Sequence, residues 1–189
     1  MDQNYSVSKE LPLDGELMFT LRNSSTLKQK VTKVFEVLRD PVYRYLFRVL
    51  DNAEEAEDLT QEVFLRLYSH LHKGQAVGNI RGWVFRVAHN LAVDQQRKKA
   101  PIDSFGPANW DQTQDPAPGA EQRILEKEQH RRLKRALAQL SSQEKQCLEL
   151  RAEGLSYQEI AEILEMRLPT LVKYLGRIIK KLVREVTYD

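Results

Sequence analysis

Between Pro101 and Gly119 the chain reads PIDSFGPANWDQTQDPAPG, and no other stretch restricts its architecture as much. Pro101, Pro107, Pro116 and Pro118 fall here, with Gly106 and Gly119. Each proline fixes φ and removes a backbone donor, so the stretch cannot be one continuous helix. It is acidic, through Asp103, Asp111 and Asp115, and poor in aliphatic side chains. Two readings fit: a linker between two folded units, or a long ordered loop within one. Loops beyond about 12–15 residues are uncommon in compact domains, which favours the linker. A chain of 189 residues accommodates two small units.

Both flanks carry helical periodicity. Val34, Leu38, Val42, Leu46 and Val49 recur at three- and four-residue steps. Asn52, with Glu55 three residues on, predicts a capped helix through Leu59, Val63, Leu67 and Leu71, closed by Gly74 and Gly78. Asn79 caps the next, with Trp83, Val87 and Leu91 on one face. Beyond the proline stretch a charged helix runs through Ile124, Leu125, Leu133, Leu137 and Leu140. Ser141 with Glu144, and Ser156 with Glu159, then form two successive capping boxes, with Gly154 closing the first helix. Pro169 suits the first turn of a last helix, whose apolar face is Leu171, Leu175, Ile178 and Leu182, with Ile179 and Val186 alongside. No alternating pattern bounded by hairpin turns is present, so the expected fold is all-α: two small helical domains joined by a flexible linker. The expected division is 1–13 as a flexible extension, 14–100 as the first domain, 101–120 as the linker and 121–189 as the second domain.

Composition excludes several classes. No apolar run approaches the roughly 18–20 residues that cross a bilayer. The N-terminal residues Met1 to Leu11 are polar and lack a signal-peptide pattern. Cys147 has no cysteine partner, which fits a reducing cytoplasm, and its apolar neighbours suit a small core residue. His70 and His72 point to different helix faces, and His89 and His130 stand alone, so neither a metal nor a cofactor is expected.

Three constellations carry the functional argument. The helices from Ser156 to Val186 form a helix-turn-helix, whose second helix can enter a major groove. Arg167, Lys173, Arg177, Lys180, Lys181 and Arg184 lie along it with no acid among them. Thr170, Lys173, Tyr174 and Arg177 face away from its apolar stripe, whereas Lys180, Lys181 and Arg184 suit phosphates. A solvated basic helix is the alternative. The second constellation, Asn79 to Lys99, mixes Arg81, Arg86, Arg97, Lys98 and Lys99 with Trp83, Phe85, Asn90, Gln95 and Gln96. Such a mixture suits single-stranded nucleic acid, which stacks bases on rings and runs phosphates past cations. At its spacing Trp83 also reads as core. The third, Ala53 to Tyr68, gathers Glu54, Glu55, Glu57, Asp58 and Glu62 beside Leu65 and Leu67. It reads as a solvated acidic face, a docking face for a basic partner or, with no phosphate loop or metal set nearby, least well as an acid/base pair.

AEDLTQEVFLRLY (Ala56 to Tyr68), RGWVFRVAHNLAVDQQRKK (Arg81 to Lys99) and LSYQEIAEIL (Leu155 to Leu164), in this order around the proline stretch, resemble the extracytoplasmic-function sigma factors of the bacterial RNA polymerase sigma-70 family. The resemblance runs from about Asp14 to Val186. It implies a non-enzymatic, cytoplasmic promoter-recognition subunit that binds polymerase core and promoter DNA, melts the DNA and starts transcription. It also implies an anti-sigma factor as partner and no membrane. Asp58, Gln61, Glu62, Leu65 and Arg66 match the face that docks on the clamp helices of the largest polymerase subunit. Arg86, Asn90, Asp94, Arg97 and Lys98 match the segment that reads the minus-ten element as a single strand. Thr170, Lys173, Tyr174, Arg177, Lys180 and Lys181 fall on the minus-thirty-five reader. By the same resemblance the acidic linker runs toward the RNA exit path.

The last helix departs from the family pattern. Pro169, Thr170, Leu171 and Val172 stand where a small residue, Thr, an aliphatic and a basic residue are usual, and Tyr174 occupies an often basic position. The near-neutral formal charge of +2 conceals separation between acidic and basic segments. Two small DNA faces held at fixed spacing by a polymerase bind far better than either alone. The competing function is a dimeric helix-turn-helix regulator that grips a palindrome without polymerase.

Overall fold

The structure, a computed structural model, describes residues 26–99 and 131–187, with side chains to 184. The expected extension 1–13, the linker 101–120, the domain starts at 14 and 121, and His130, Ile124, Leu125 and Val186 lie outside this description. Among the described residues every regular element is a helix. The first unit comprises α1 (Leu27–Leu50), α2 (Ala53–His72) and α3 (Ile80–Lys99). The second comprises α4 (131–138), α5 (Ser142–Ala152), α6 (Tyr157–Ile163) and α7 (Leu168–Thr187).

Local chemistry sets most of these boundaries. Thr26 and Gln29 cap α1 reciprocally, and Asp51 in the left-handed region (φ 53°) ends it. Pro41 sits inside α1, where it cannot donate to the Val37 carbonyl. The Asn52 side chain accepts from the Glu55 N–H at 3.0 Å. Ser141–Glu144 and Ser156–Glu159 both close as full capping boxes, as the spacing predicts. Gly154 takes φ +82°, a conformation that costs glycine little and ends α5.

The core of the first unit packs Val34, Leu38, Val42 and Leu46 of α1 against Val63 and Leu67 of α2 and Val84, Phe85 and Leu91 of α3. Val49, Leu59, Leu71, Trp83 and Val87 pack around it, half-buried. Tyr45 and His89 are buried together, with the Tyr45 hydroxyl 2.8 Å from His89 Nδ1. In the second unit Cys147, Leu150, Leu155, Ile160, Ile163, Leu171, Leu175 and Ile178 form the core. Burial pushes the Cys147 thiol up to about 12, so it stays protonated and serves as core. The two units touch: α1 packs on α5, and α3 on α6.

Two residues depart from their expected surroundings. Ile179, expected beside the buried face, is half exposed (50%) because it stands a hundred-degree step round the helix from Ile178, on the side of Val172 and Val183. Arg81, grouped with the nucleic-acid cations, is buried and donates to the Glu153 backbone carbonyl. Its guanidinium satisfies the end of α5 and does not face solvent.

Candidate nucleic-acid interface

One face of α3 carries Arg86, Asn90, Asp94, Arg97 and Lys98, which recur at three- and four-residue steps. All five are exposed, while Val84, Phe85, Ala88, Leu91 and Ala92 turn inward. The helix thus presents a continuous polar stripe over roughly three turns. Three successive cations at its end need anions nearby, and the chain supplies two. Arg97 lies 3.9 Å from Asp94, and Lys99 lies 2.5 Å from Glu55. Trp83 is half-buried and tilts against His70 with ring centroids 5.1 Å apart, which places it in the bundle wall and not on the stripe.

On α2, Asp58, Gln61, Leu65 and Arg66 are exposed and Glu62 is half-buried, again on one face. Leu65 is 62% exposed, and Tyr68 beside it is 41% exposed. Glu62 pairs with Arg66 at 2.7 Å and Glu57 with Arg39 at 3.0 Å. Glu55, Glu57 and Glu62 each meet a different cation, an arrangement that does not suit proton transfer between them. The sequence reading did not single out Tyr68; its aromatic body extends the apolar spot at Leu65.

Three faces run along α7. Leu171, Leu175 and Ile178 are buried. Lys173, Arg177, Lys180 and, at its edge, Thr170 are exposed on the second face. Leu168, Val172, Ile179 and Val183 form an exposed apolar third face, which the sequence reading missed because it assigned a single apolar side. Tyr174 is half-buried against the core, with the Arg177 guanidinium 5.4 Å above its ring centroid. It supports Arg177 by a cation–π contact more than it offers itself to solvent. Lys181 donates to the Gln139 carbonyl at 2.9 Å and so ties α7 to the end of α4. The turn before α7 is tight: Glu165 takes φ 53°, and Met166 donates to the Ala161 carbonyl.

The sequence reading also missed a set of contacts between the two units. Arg44 grips Glu153 with two bonds, Nε to Oε1 at 3.1 Å and Nη2 to Oε2 at 2.7 Å. Arg48 Nη1 lies 2.6 Å from Glu149 Oε2. Asn79 caps α3 through Oδ1, accepting from the Gly82 N–H at 2.8 Å, and donates through Nδ2 to Glu159 at 2.8 Å. A Cβ on Gly82 would sit 3.0 Å from that Asn79 amide, so glycine leaves room for the double engagement. Arg86 meets Glu162 at 3.2 Å. Burial raises the Glu149 pKa, with Arg48 opposing, whereas bonds from Asn79 and Ser156 outweigh burial and lower that of Glu159. The available signal was paired spacing: Arg44 and Arg48 on one unit, Glu149 and Glu153 on the other, each four apart.

Comparison with known proteins bears on this arrangement. The family description Sigma-70 region 2 matches residues 34–102, and Sigma-70, region 4 matches residues 130–182. The two matches, in that order, take in more than half of the chain. The chain belongs to the sigma-70 family. Among curated relatives, this sigma-70 chain is 34% identical over 134 residues to the ECF RNA polymerase sigma factor SigE of Mycolicibacterium smegmatis, a match covering 70% of this chain and 52% of SigE. It is 35% identical over 68 residues to SigW of Bacillus subtilis, covering 36% of each. To SigX of Bacillus subtilis it is 29% identical, covering 69% of this chain and 70% of SigX. The chain thus spans about half of SigE and about a third of SigW. All three relatives carry the description ECF RNA polymerase sigma factor. The sigma factor RpoE of Bartonella quintana, solved with the anti-sigma factor NepR, shares the fold, with a TM-score of 0.59, 19% identity, and coverage of 84% of this chain and 97% of RpoE.

Proposed function

We propose that this chain is a sigma factor: it binds RNA polymerase core, recognises promoter DNA, assists its melting and starts transcription without being an enzyme. The observation that carries the reading is the presence of two exposed polar helix faces in one chain. One lies on α3 within the region 2 match, the other on α7 within the region 4 match. A dimeric operator binder needs the second face but has no use for the first. Residues 14–100 act as the core-docking and minus-ten domain, 121–189 as the minus-thirty-five domain, and 101–120 as the connection. Asp58, Gln61, Glu62, Leu65 and Arg66 dock on core. Arg86, Asn90, Asp94, Arg97 and Lys98 read the melted minus-ten strand. Thr170, Lys173 and Arg177 reach base edges in the minus-thirty-five groove, with Tyr174 positioning Arg177, and Lys180 and Lys181 meet phosphates. The protein works in the cytoplasm, where its polymerase is, and an anti-sigma factor is an expected partner, as NepR is for RpoE. Run-off transcription with purified core on a randomised promoter library tests this. Defined transcripts from a two-element promoter are expected, and a chain that leaves core silent on every template refutes it.

A further inference from the structure

Arg97, Lys98 and Lys99 form one run of cations in the sequence, and the structure divides it. Lys98 ends the exposed stripe of α3. Lys99 stands a hundred-degree step further round the helix. It lies in line with Ala88 and Ala92, eleven and seven residues earlier, which are both buried. Its ammonium turns to Glu55, in the first turn of α2, at 2.5 Å. Gln96, one step before Arg97, donates from Nε2 to the Val49 carbonyl at 2.8 Å. That carbonyl belongs to the last turn of α1, where carbonyls lack partners within the helix. The last turn of α3 therefore reaches both the end of α1 and the start of α2.

Each charge of the Glu55–Lys99 pair sits where a helix dipole favours it, the carboxylate at the N-terminus of α2 and the ammonium at the C-terminus of α3. The Glu55 side chain is 21% exposed, against 50% for Lys99. Among the described residues, Glu55 Oε2 is buried and meets no hydrogen-bond donor. Moving Lys99 to a phosphate would thus leave a largely buried anion without its cation, which is costly. The Glu62–Arg66 pair, at 42% and 53%, carries no such penalty.

From this geometry we propose that Glu55 is a positioning residue: it holds Lys99 off the bound strand, so that the strand-reading face of α3 ends at Lys98. Glu55 then acts on specificity by subtraction. A third cation at the end of the stripe would attract any phosphate regardless of sequence. Withholding Lys99 from DNA rests on the strand-reading role proposed above; the pair itself does not.

The test uses the full chain with Lys98→Met, Lys99→Met, Glu55→Gln and the double variant Glu55→Gln/Lys99→Met. Affinity for a fluorescent mixed-sequence single-stranded DNA is measured from low to high potassium chloride. Each phosphate contact contributes about 0.7 to the slope of log affinity against log salt. Lys98→Met and Lys99→Met both take the formal net charge from +2 to +1. Lys98→Met is expected to lower the slope by about 0.7 and Lys99→Met to leave it where it was. Glu55→Gln is expected to raise it by about 0.7, as the released ammonium gains a phosphate, and the double variant to return it to the starting value. Glu36→Gln makes the same charge change as Glu55→Gln at an exposed position of α1 and is expected to leave the slope alone. An equal fall in Lys98→Met and Lys99→Met overturns the proposal, as does a slope that Glu55→Gln fails to raise or that Glu36→Gln raises as much. Urea unfolding reads the pair without DNA. The double variant is expected to lose less of the midpoint than the two single losses together, and additive losses overturn the pair. A slope unmoved by Lys98→Met counts against the strand-reading role of α3, and the unfolding cycle then decides the pair by itself.

Discussion

At the scale of single residues, two positions make the physics measurable. Gly176 lies inside α7, and a Cβ built there meets nothing within 4 Å. Glycine in a helix interior costs about 0.5–1 kcal/mol relative to alanine. Gly176→Ala is therefore expected to stabilise the chain by about that amount, read as a raised urea midpoint with an unchanged slope. His89 works in the opposite sense. Burial lowers its pKa from 6.5, with Glu165 opposing weakly, and the Tyr45 hydroxyl occupies Nδ1. Between the folded pKa and 6.5 the unfolded chain binds more protons than the folded one, so stability is present above 6.5 and falls as pH drops below it. His89→Gln, which keeps a partner for Tyr45, is expected to flatten the decline in unfolding free energy between pH 7 and 5. An equal slope in both proteins assigns the decline to other groups.

At the scale of elements, α7 and α2 each divide labour between faces. Arg177 is exposed and braced on Tyr174. If it makes a specific base contact, Arg177→Ala is expected to weaken promoter binding by about 1–3 kcal/mol at one base position. A uniform loss across sequences with a shallower salt slope assigns it to phosphate. On α2, Asp58→Arg or Leu65→Ala is expected to impair core binding in a pull-down while the thermal melt of the free protein stays within a degree or so, because both side chains are exposed. Capping boxes at Ser141 and Ser156, the Asn79 cap and the inward positions of α1, α2 and α3 were all legible, since caps and periodicity are local. The five residues of the α3 stripe were reached through the family resemblance, since the local mixture of cations, rings and amides did not by itself single them out. What escaped was non-local. Arg81 looks like any basic residue in a row of them, and only the arrival of the Glu153 carbonyl makes it a buried donor. Ile179 differs from Ile178 by one residue, and that hundred-degree step separates the buried from the exposed side. Pro41 removes one donor inside α1, and the buried residues Leu38, Val42, Tyr45 and Leu46 around it hold the helix together.

At the scale of the whole molecule, the sequence suggests two bodies that meet only through a larger machine, and the structure adds a direct seam between them. The pairing of Arg44 and Arg48 with Glu149 and Glu153 lies more than a hundred residues apart in the chain, so no window of sequence contains it. The arginines are partly exposed, at 49% and 37%, so the seam is open to water and dissolved ions. Added electrolyte screens partly exposed pairs of this kind, so raising potassium chloride is expected to lower the thermal midpoint of the chain, with much of that dependence gone in Arg44→Ala/Arg48→Ala.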